Sequence, residues 1–527
     1  MPLSTLHKTK NNSYALVSVF DKTGLVDMAQ ALVRSGYNII STGGTAKVLE
    51  LNNIPFIPIQ KITGNPESFD GRMKTISFQI ESGILFDRSN SSHIQQAKDL
   101  NIVSIDIVVC NFYPFEKTVS NPNVSLDEAI ENIDVGGPTM VRAAAKNFKN
   151  VLVFVDPIDY HIIIQNKKID IILRQQLAAK AFTSISYYDS QVARFFNKEK
   201  LPNKITIPLQ KFSDLRYGEN MHQKAAFYFE PDLYSPLKSL KRLYGRDLSL
   251  VNITDINTGL ENIRFFKQPA AVIIKHNSPC GIALGETIDQ ALQRAIEADP
   301  ISAFGGVIVL NKKVDLKTVK EVGRFKDEVR GNIDIFACPE IEKDALDYLQ
   351  KVRKTLGIYT FGKFFTKTGL LHKRLNYKWI DNGLVVQESD DDVESGFADW
   401  EVVTKIKPNK KQIEQMKIAW KFTTKIRSNT ILIMDKDLPM TRGIGSGQTS
   451  RIGSAKIALE QAGKYCDNAV LASDSFFPFP DCVEMASQNK ISAIIQQGGS
   501  INDQMSIDAA DKAKIAMIFT HRRAFWH

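Results

Sequence analysis

Short apolar runs alternate with amphipathic stretches along most of this chain. The run at 14–20 (YALVSVF) precedes a stretch in which Leu25, Met28 and Leu32 recur at helical spacing up to Gly36. Strands that alternate with helices form parallel sheets, because the helix between two strands returns the chain to the edge where the first strand began. The sequence therefore predicts an α/β fold in which helices cover the faces of a parallel sheet.

The length of the chain predicts at least two domains. A chain of 527 residues exceeds what one hydrophobic core supports. The lysine- and proline-containing stretch at 197–211 is typical of a linker, so we expect domains at 1–200 and 201–527. Within the second domain, IIKHNSPCG and LASDSFFPFPD each end a strand in a polar turn with proline before a helix. This similarity suggests an internal duplication.

Composition narrows the class of protein. No apolar run approaches the roughly 20 residues that span a bilayer, and the first residues lack the apolar core of a secretory signal. We therefore expect a cytoplasmic protein that binds no membrane. The net charge of +9 is spread among acids, which favours small anionic substrates over nucleic acid. Five dispersed cysteines without a C-x-x-C pair argue against disulfides and a structural zinc site.

Three polar segments of the first domain suit an anionic ligand. The glycines of STGGT (41–45) lie between a strand and a helix, where backbone N–H groups can hold a phosphate. The segment GRMKT contributes Arg72 and Lys74, and a later segment brings Asp134 to a Gly-Gly-Pro turn with Arg142 and Lys146 on the helix beyond. A tight turn without a ligand, and ordinary surface charge, remain the alternatives for these segments.

In the second domain, Lys275 and His276 end an apolar run, after which the chain is predicted to turn through Asn277, Pro279 and Gly281. Zinc deaminases need His-x-Glu and a later Pro-Cys-x-x-Cys, and this segment has neither the glutamate nor the second cysteine. We therefore predict no metal site. The pair could move a proton and stabilise an oxyanion, and a purely structural histidine remains the alternative.

Many motifs follow one another in an order that identifies a family. They include SVFDKTG, STGGTAK, GRMKT, NFYPF, ENIDVGGPTMVRAAAKN, LRYGEN, IIKHNSPCG, DPISAFGG, GIGSGQTSR and MIFTHRRAFWH. The chain resembles the bifunctional purine-biosynthesis enzymes that join AICAR formyltransferase to IMP cyclohydrolase. The resemblance implies a methylglyoxal-synthase-like cyclohydrolase domain at 1–200 and a duplicated, zinc-free, cytidine-deaminase-like formyltransferase domain at 201–527. It also implies a homodimer, 10-formyltetrahydrofolate as cosubstrate and no tightly bound cofactor.

The resemblance also assigns roles to residues. In formyl transfer, His276 takes the amine proton of AICAR, Lys275 stabilises the oxyanion or assists the leaving nitrogen, and Asn429 completes the catalytic set. Contacts to substrate or folate are implied for Arg216, Tyr217, Asp334, Arg451, Phe476, Phe479, Asp481 and Arg523. Cyclisation is assigned to Lys74, Tyr113, Asp134 and Lys146, with the nucleotide phosphate on Lys22, Thr42, Gly43, Gly44 and Thr45.

Some residues depart from the family pattern. Phe20 stands where the family has a serine beside the phosphate, and Ser77 and Glu81 replace two histidines after GRMKT. In the larger domain, Pro480 and Met221 replace an arginine and a proline. Three alternatives stay open: activity of the formyltransferase half alone, a zinc nucleotide deaminase, or a non-catalytic nucleotide- or nucleic-acid-binding relative.

Overall fold

The computed structural model describes residues 13–69, 72–121, 123–231, 234–329, 331–364 and 375–527. The chain divides into two compact units. Unit 1 comprises Met1–Gln210 with Glu230–Asp232, and unit 2 comprises Lys211–Phe229 with Leu233–His527. No helix of the described ranges is both long enough and apolar enough to span a membrane.

Unit 1 contains a five-stranded parallel sheet, as the sequence predicts for the first domain. Its order is β3-β2-β1-β4-β5, with β1 (Tyr14–Val19), β2 (Asn38–Ser41), β3 (Ile57–Pro58), β4 (Ile105–Asn111) and β5 (Leu152–Phe154). The helices are α1 (Leu25–Arg34), α2 (Gly43–Leu51), α3 (Gln60–Thr63), α4 (Phe78–Leu85), α5 (Ser91–Asp99), α6 (Phe115–Val119), α7 (Leu126–Glu131), α8 (Gly136–Lys146), α9 (His161–Ile164) and α10 (Ile171–Phe196).

The sheet of unit 1 is buried on both faces. Along β1, Ala15 and Val17 belong to one apolar cluster, which also contains Leu25 of α1. Leu16 belongs to the cluster on the other face, with Val141 of α8. Side chains alternate between the two faces along a strand, so β1 presents apolar side chains to both faces. Both faces must therefore be covered by helices, which agrees with the nearly continuous apolar runs of the strands.

Unit 2 contains two halves with the same order of elements. The first half consists of α11 (Leu250–Ile263), β9 (Ala270–Lys275), β10 (Ser278–Leu284), α12 (Ile288–Ala298), β11 (Gly306–Leu310), α13 (Leu316–Val329), β12 (Ile333–Cys338), α14 (Lys343–Val352) and β13 (Gly357–Thr360). The second consists of α15 (Lys410–Thr423), β17 (Ile431–Met434), β18 (Thr441–Gly445), α16 (Arg451–Ala462), β19 (Val470–Ser473), α17 (Asp481–Gln488), β20 (Ala493–Gln496), α18 (Asp503–Ala513) and β21 (Ala516–Phe519).

The remaining strands of unit 2 are β6 (Gln210–Leu215), β7 (Ala225–Phe229), β8 (Lys241–Tyr244), β14 (Leu375–Ile380), β15 (Gly383–Glu388) and β16 (Glu401–Val402). The two large sheets have equivalent strand orders, β10-β9-β11-β12-β13-β8 and β18-β17-β19-β20-β21-β16. In each, the first hairpin and its neighbour pair antiparallel, while the next strands pair parallel. The predicted duplication is therefore confirmed.

Two details of the sequence interpretation are wrong. IIKH ends β9 but LASD ends β19, whose counterpart in the first half is β11, so the two segments that suggested the duplication are not equivalent. The predicted turn through Pro279 and Gly281 is also wrong, because both residues lie within β10. A register irregularity at Pro279 and Gly281 accommodates them in the strand.

Gly281 and Gly443 occupy the same place in the two halves, facing the helix that follows their hairpin. A Cβ on either residue would overlap a helix carbonyl oxygen, that of Ala295 or that of Ala458. We expect Gly443→Ala to destabilise unit 2 by about 3 kcal/mol, because backbone cannot move aside as a flexible side chain can. Thermal unfolding of the purified chain tests this.

The control for this substitution is Gly44→Ala, where a new Cβ meets no atom within 4 Å. An unchanged unfolding temperature for Gly443→Ala would show that α16 can shift away from β18 at little cost.

Candidate active sites

The predicted phosphate segment lies at the carboxyl edge of the unit 1 sheet. The strand order reverses between β1 and β4, and ligands of open α/β sheets bind at such a point. Thr42 caps the N-terminus of α2, and its Oγ1 is buried without a hydrogen-bond partner. Thr45 Oγ1 exchanges hydrogen bonds with the backbone of Val19, both 3.0 Å long. The loop is therefore tied to β1, and the N-terminus of α2 directs its N–H groups toward any anion bound there.

Residues after β1 and β4 border this segment. The Lys22 ammonium donates to the carbonyl oxygens of Val19 and Phe20, and burial lowers its pKa. The Phe20 and Tyr113 rings pack edge to face with centroids 4.6 Å apart. Phe20 therefore fills space beside Tyr113 where the family pattern has a small hydroxyl residue.

Asp134 and Lys146 line one cavity of about 500 Å³, together with Glu81, Arg142 and Tyr188. Asp134 Oδ1 accepts a hydrogen bond of 2.8 Å from the Gly137 N–H, and Tyr188 Oη accepts one of 2.7 Å from the Asp134 N–H. Burial raises the pKa of Asp134, although the backbone donors partly oppose this. The cavity thus combines an acid that can hold a proton with two cations.

Two other predicted cyclisation residues lie beside this cavity rather than on its wall. Burial raises the pKa of Asp134, and the nearby backbone N–H of Tyr113 is one of the groups that oppose this rise. Lys74 forms an ion pair of 2.5 Å with Glu67, while the neighbouring Thr75 packs against Gly136 at the start of α8. The structure therefore brings Tyr113 next to Asp134 and places the segment of Lys74 against the same turn.

Ser77 and Glu81, which stand where the resemblance implies histidines, have different structural roles. Ser77 caps α4, since its hydroxyl accepts a hydrogen bond of 3.2 Å from the Ile80 N–H. Glu81 lines the cavity of Asp134, and burial raises its pKa. Ser77 therefore serves the helix, whereas Glu81 adds a carboxyl group to the site.

In unit 2, Lys275 and His276 lie at the tip of the first hairpin. Lys275 pairs with Ser278 across β9 and β10, so the turn contains only His276 and Asn277, with φ angles of 55° and 58°. Positive φ at both central residues is typical of a type I′ turn. Lys275 Nζ donates a hydrogen bond of 2.8 Å to the Phe304 carbonyl oxygen, and His276 is exposed.

The pair faces a cleft of about 450 Å³ that both halves of unit 2 line. The first half contributes Asp299 and Ser302, and the second contributes Ile444 and Gln461. Gln461 Nε2 donates to Asp299 Oδ2 over 2.6 Å, and Gln461 Oε1 accepts from the Ile444 N–H over 2.7 Å. The hydrogen bonds of Gln461 therefore fix the carboxylate that lies across the cleft. Sequence reasoning missed both Asp299 and Gln461.

Asn429 and Arg451 belong to a second polar cluster of unit 2. The buried Arg451 pairs with Asp474 and donates to Asn429 Oδ1 over 2.7 Å. Asn429 Nδ2 donates to the Gln448 carbonyl oxygen over 2.9 Å. These hydrogen bonds fix the orientation of the Asn429 amide. The Arg451 guanidinium is bound by Asp474 and Asn429.

Arg216 lines a third, basic cavity of about 620 Å³ in unit 2, and Tyr217 and Asp334 contact residues of its wall. The Arg216 guanidinium stacks on the Tyr217 ring at 4.7 Å and lines this cavity with Arg246 and Lys354. Asp334 pairs with Arg246 at 3.1 Å. Such a set of cations suits an anionic ligand.

The remaining predicted contacts lie on the surface of the second half. Phe479 is exposed in the loop before α17, Asp481 begins that helix, and Phe476 is partly buried in the same loop. The Arg523 guanidinium stacks on the Phe525 ring at 4.4 Å. Their roles in binding remain predictions.

Comparison with known proteins identifies the family. A family model described as AICARFT/IMPCHase bienzyme matches residues 144–461, and a model of the MGS-like domain matches residues 24–139. The bifunctional purine biosynthesis protein PurH of Thermoanaerobacter sp. (strain X514) is 43% identical over 522 residues, covering 97% of this chain and 99% of that protein.

Proteins of the same name show similar values. That of Bacillus cereus (strain AH187) is 42% identical over 521 residues, and that of Oceanobacillus iheyensis is 43% identical over 520, each covering 97% of this chain and 99% of the relative. Among solved structures, the crystal structure of ForH is 30% identical and covers 35% of this chain and 99% of its own, with a TM-score of 0.31. With matches of this identity over nearly its whole length, this chain belongs to the AICARFT/IMPCHase bienzyme family.

Proposed function

We propose that this chain transfers the formyl group of 10-formyltetrahydrofolate to the 5-amino group of AICAR in unit 2 and closes formyl-AICAR to IMP in unit 1. It is a bifunctional enzyme of purine biosynthesis. The observation that carries the proposal is the hairpin tip, where Lys275 and His276 face a cleft with the fixed carboxylate of Asp299.

Formyl transfer needs a base and an oxyanion stabiliser, because the amine of AICAR is a weak nucleophile. As the nitrogen attacks the formyl carbon, His276 takes its proton, and the ammonium of Lys275 stabilises the developing oxyanion. The bond between the formyl carbon and the folate nitrogen then breaks, and that nitrogen receives the proton from His276. The hydrogen bond from Lys275 to the Phe304 carbonyl oxygen holds the ammonium in place.

The second half of unit 2 lacks this pair at the equivalent position. Ile274 pairs with Val307, and Met434 pairs with Val470 in the same antiparallel arrangement, so the next residues, Lys275 and Asp435, are equivalent. Asp435 forms a buried ion pair of 2.6 Å with Arg442. One Lys-His site per chain is therefore consistent with the duplicated fold.

Cyclisation joins the carboxamide nitrogen to the formyl carbon, and the formyl oxygen leaves as water with one proton from each nitrogen bonded to that carbon. The shared cavity of Asp134 and Lys146 supports this chemistry. Asp134 takes the carboxamide proton during attack, and Lys146 protonates the resulting oxyanion. Asp134 then gives its proton to the hydroxyl group as it leaves as water, and the former formamide nitrogen gives its proton to the neutral Lys146. The N-terminus of α2, with Thr42–Thr45 and Lys22, holds the phosphate.

A single assay tests both activities. AICAR and 10-formyltetrahydrofolate are supplied, and tetrahydrofolate, formyl-AICAR and IMP are followed with the spontaneous cyclisation subtracted. We expect tetrahydrofolate and IMP to appear together. Absence of tetrahydrofolate would overturn the proposal for unit 2, and accumulation of formyl-AICAR would overturn it for unit 1.

We further propose that the chain acts in the cytoplasm as a homodimer, with folate as a cosubstrate, no tightly bound cofactor and no nucleic-acid or membrane partner. The family membership and the dispersed charge support this. Light scattering should give twice the chain mass of 59.1 kDa. A monomeric mass at assay concentrations would contradict the dimer.

Glu81→Gln is expected to strengthen binding of formyl-AICAR. At pH 8 the carboxylate repels an anionic ligand in the cavity, and its removal should lower the KM for formyl-AICAR about fivefold, which corresponds to about 1 kcal/mol. Burial raises the pKa of Glu81, so the carboxyl becomes protonated and loses its charge as the pH is lowered from 8. The difference in KM between Glu81→Gln and wild type should therefore shrink as the pH falls.

Steady-state cyclisation of supplied formyl-AICAR at several pH values measures this effect. Glu50→Gln, an exposed change at the far end of α2, serves as control. A higher KM in Glu81→Gln would show that Glu81 contributes to binding instead.

A further inference from the structure

Asp255 lies beneath the turn that carries His276. It belongs to α11, is only 4% exposed, and its Oδ1 accepts a hydrogen bond of 2.7 Å from the Asn277 N–H. Burial raises the pKa of the Asp255 carboxyl, and the backbone groups of Asn277 and His276 oppose this rise. A buried carboxylate is costly unless donors compensate it, and here the donors come from the turn itself.

The side chain of Asn277 joins the turn to the same helix. With its amide nitrogen oriented toward α11, it donates to Thr254 Oγ1 over 3.0 Å and to Asp255 Oδ1 over 3.3 Å. His276 has a positive φ of 55°, a conformation in which histidine is enriched among the non-glycine residues that adopt it. Contacts from α11 to Asn277 therefore anchor the turn that carries His276.

The second half of unit 2 shows what the fold itself requires at this position. Gln415 is the sixth residue of α15, as Asp255 is of α11, and both helices begin with a capping box. Gln415 Nε2 donates to the carbonyl oxygens of Asp435 and Leu438, at 2.7 and 2.9 Å. A neutral amide thus suffices to hold the equivalent hairpin, so the negative charge of Asp255 needs another explanation.

The charge of Asp255 acts on His276 together with the charges of other ionisable groups near the turn. Lys275, the last residue of β9, directly precedes His276 and disfavours a second positive charge, whereas Asp299 across the cleft favours it. On β10, burial raises the pKa of Cys280 to about 12, so this thiol stays neutral, and β11 has no ionisable residue. The ionic cluster of Glu261, Arg264, Asp391 and Lys425 begins six residues further along α11, roughly 9 Å away.

We propose that Asp255 is a positioning residue for formyl transfer: its carboxylate holds the turn and stabilises the positive charge that His276 acquires with the amine proton. This proposal rests on the proposed function of unit 2. The proposal explains why Asp255, an acid, is buried in the half that has the Lys-His pair, whereas the equivalent residue of the other half, Gln415, is an amide.

Asp255→Asn tests the charge with little change of shape. We expect kcat for formyl transfer to fall about 100-fold, with the KM for AICAR within twofold of wild type. The acid limb of kcat/KM should move to lower pH, because an imidazolium without the nearby carboxylate loses its proton more readily. Asp347→Asn, which removes an exposed charge on α14, should change none of these quantities.

A double-mutant comparison separates positioning from general stability. In a His276→Ala background, Asp255→Asn should cause no further loss, because the group through which Asp255 acts is absent. Equal losses in both backgrounds, together with a lower unfolding temperature, would show a purely structural role and overturn the proposal. Activity within threefold of wild type and an unchanged pH profile would also overturn it.

An NMR titration of the His276 ring gives a readout that does not depend on turnover. The midpoint should move to lower pH in Asp255→Asn, and an unchanged midpoint would contradict the proposal even if the wild type proved inactive. If Asp255→Asn does not fold, Asp255→Glu and Asp255→Ser replace it. The charged variant should keep the wild-type midpoint, and the neutral variant should show the shift.

Discussion

Replacing His276 by alanine is expected to lower the rate of formyl transfer to AICAR about 1,000-fold, the range lost when a general base is removed. The amine proton then has no acceptor at the hairpin tip, while Lys275 can still stabilise the oxyanion. Stability should hardly change, because His276 is exposed and the described residues form no hydrogen bond with its ring.

The rate of tetrahydrofolate formation at saturating AICAR and 10-formyltetrahydrofolate measures this loss. Cyclisation of supplied formyl-AICAR should be unchanged in the same preparation, which shows that unit 1 is intact, and an unchanged unfolding temperature shows the same of unit 2. His93→Ala, an exposed histidine of α5, is the matched control. Turnover of His276→Ala within a fewfold of wild type would remove His276 from the mechanism.

Asp134→Asn is expected to lower cyclisation of formyl-AICAR about 100-fold or more, because an amide cannot take the carboxamide proton. The hydrogen bond from the Gly137 N–H can persist to the amide oxygen, so the turn before α8 should keep its conformation. Formation of IMP from supplied formyl-AICAR measures the loss. Formyl transfer in unit 2 should be unaffected, and a loss of both activities would indicate misfolding instead.

The same substitution should raise stability at neutral pH. Because burial raises the pKa of Asp134 in the folded protein, the folded state holds the proton to higher pH than the unfolded state does. Ionisation therefore costs stability as pH rises from the unfolded value near 3.8 through the raised folded value, and asparagine avoids this cost. We expect the unfolding temperature of Asp134→Asn to rise by about 2–4 °C at pH 8 and not at pH 3. A lower unfolding temperature at pH 8 would contradict this sign.

Local sequence patterns predict the regular elements well. The helical spacing from Leu25 up to Gly36 corresponds to α1, Leu25–Arg34, and the run at 14–20 contains β1. The turn through Pro279 and Gly281 was predicted wrongly because both residue types are typical of turns. Here Gly281 instead allows α12 to approach β10, a requirement that depends on packing between elements and not on the local sequence.

The candidate sites were only partly predictable. Lys275 and His276 are adjacent in sequence, so their pattern and the family resemblance indicate them directly. Gln461 reaches Asp299 across 162 positions, and Asp255 reaches Asn277 across 22, so no local spacing reveals either contact. A polar residue at 255, between the buried Ile253 and Ile256, is the only sequence signal for the latter.

The repetition within unit 2 gives this enzyme an internal reference for its own specialisation. The two halves share one order of helices and strands, so a difference between side chains at equivalent positions shows what distinguishes one half from the other. Asp255 with Lys275 in the first half contrasts with Gln415 and Asp435 in the second, where an ion pair with Arg442 occupies the hairpin. The hairpin tip of the first half thus presents the Lys-His pair to the cleft, while the second half adds cleft-lining residues and closes its own hairpin with an ion pair, a division of labour inside a single polypeptide.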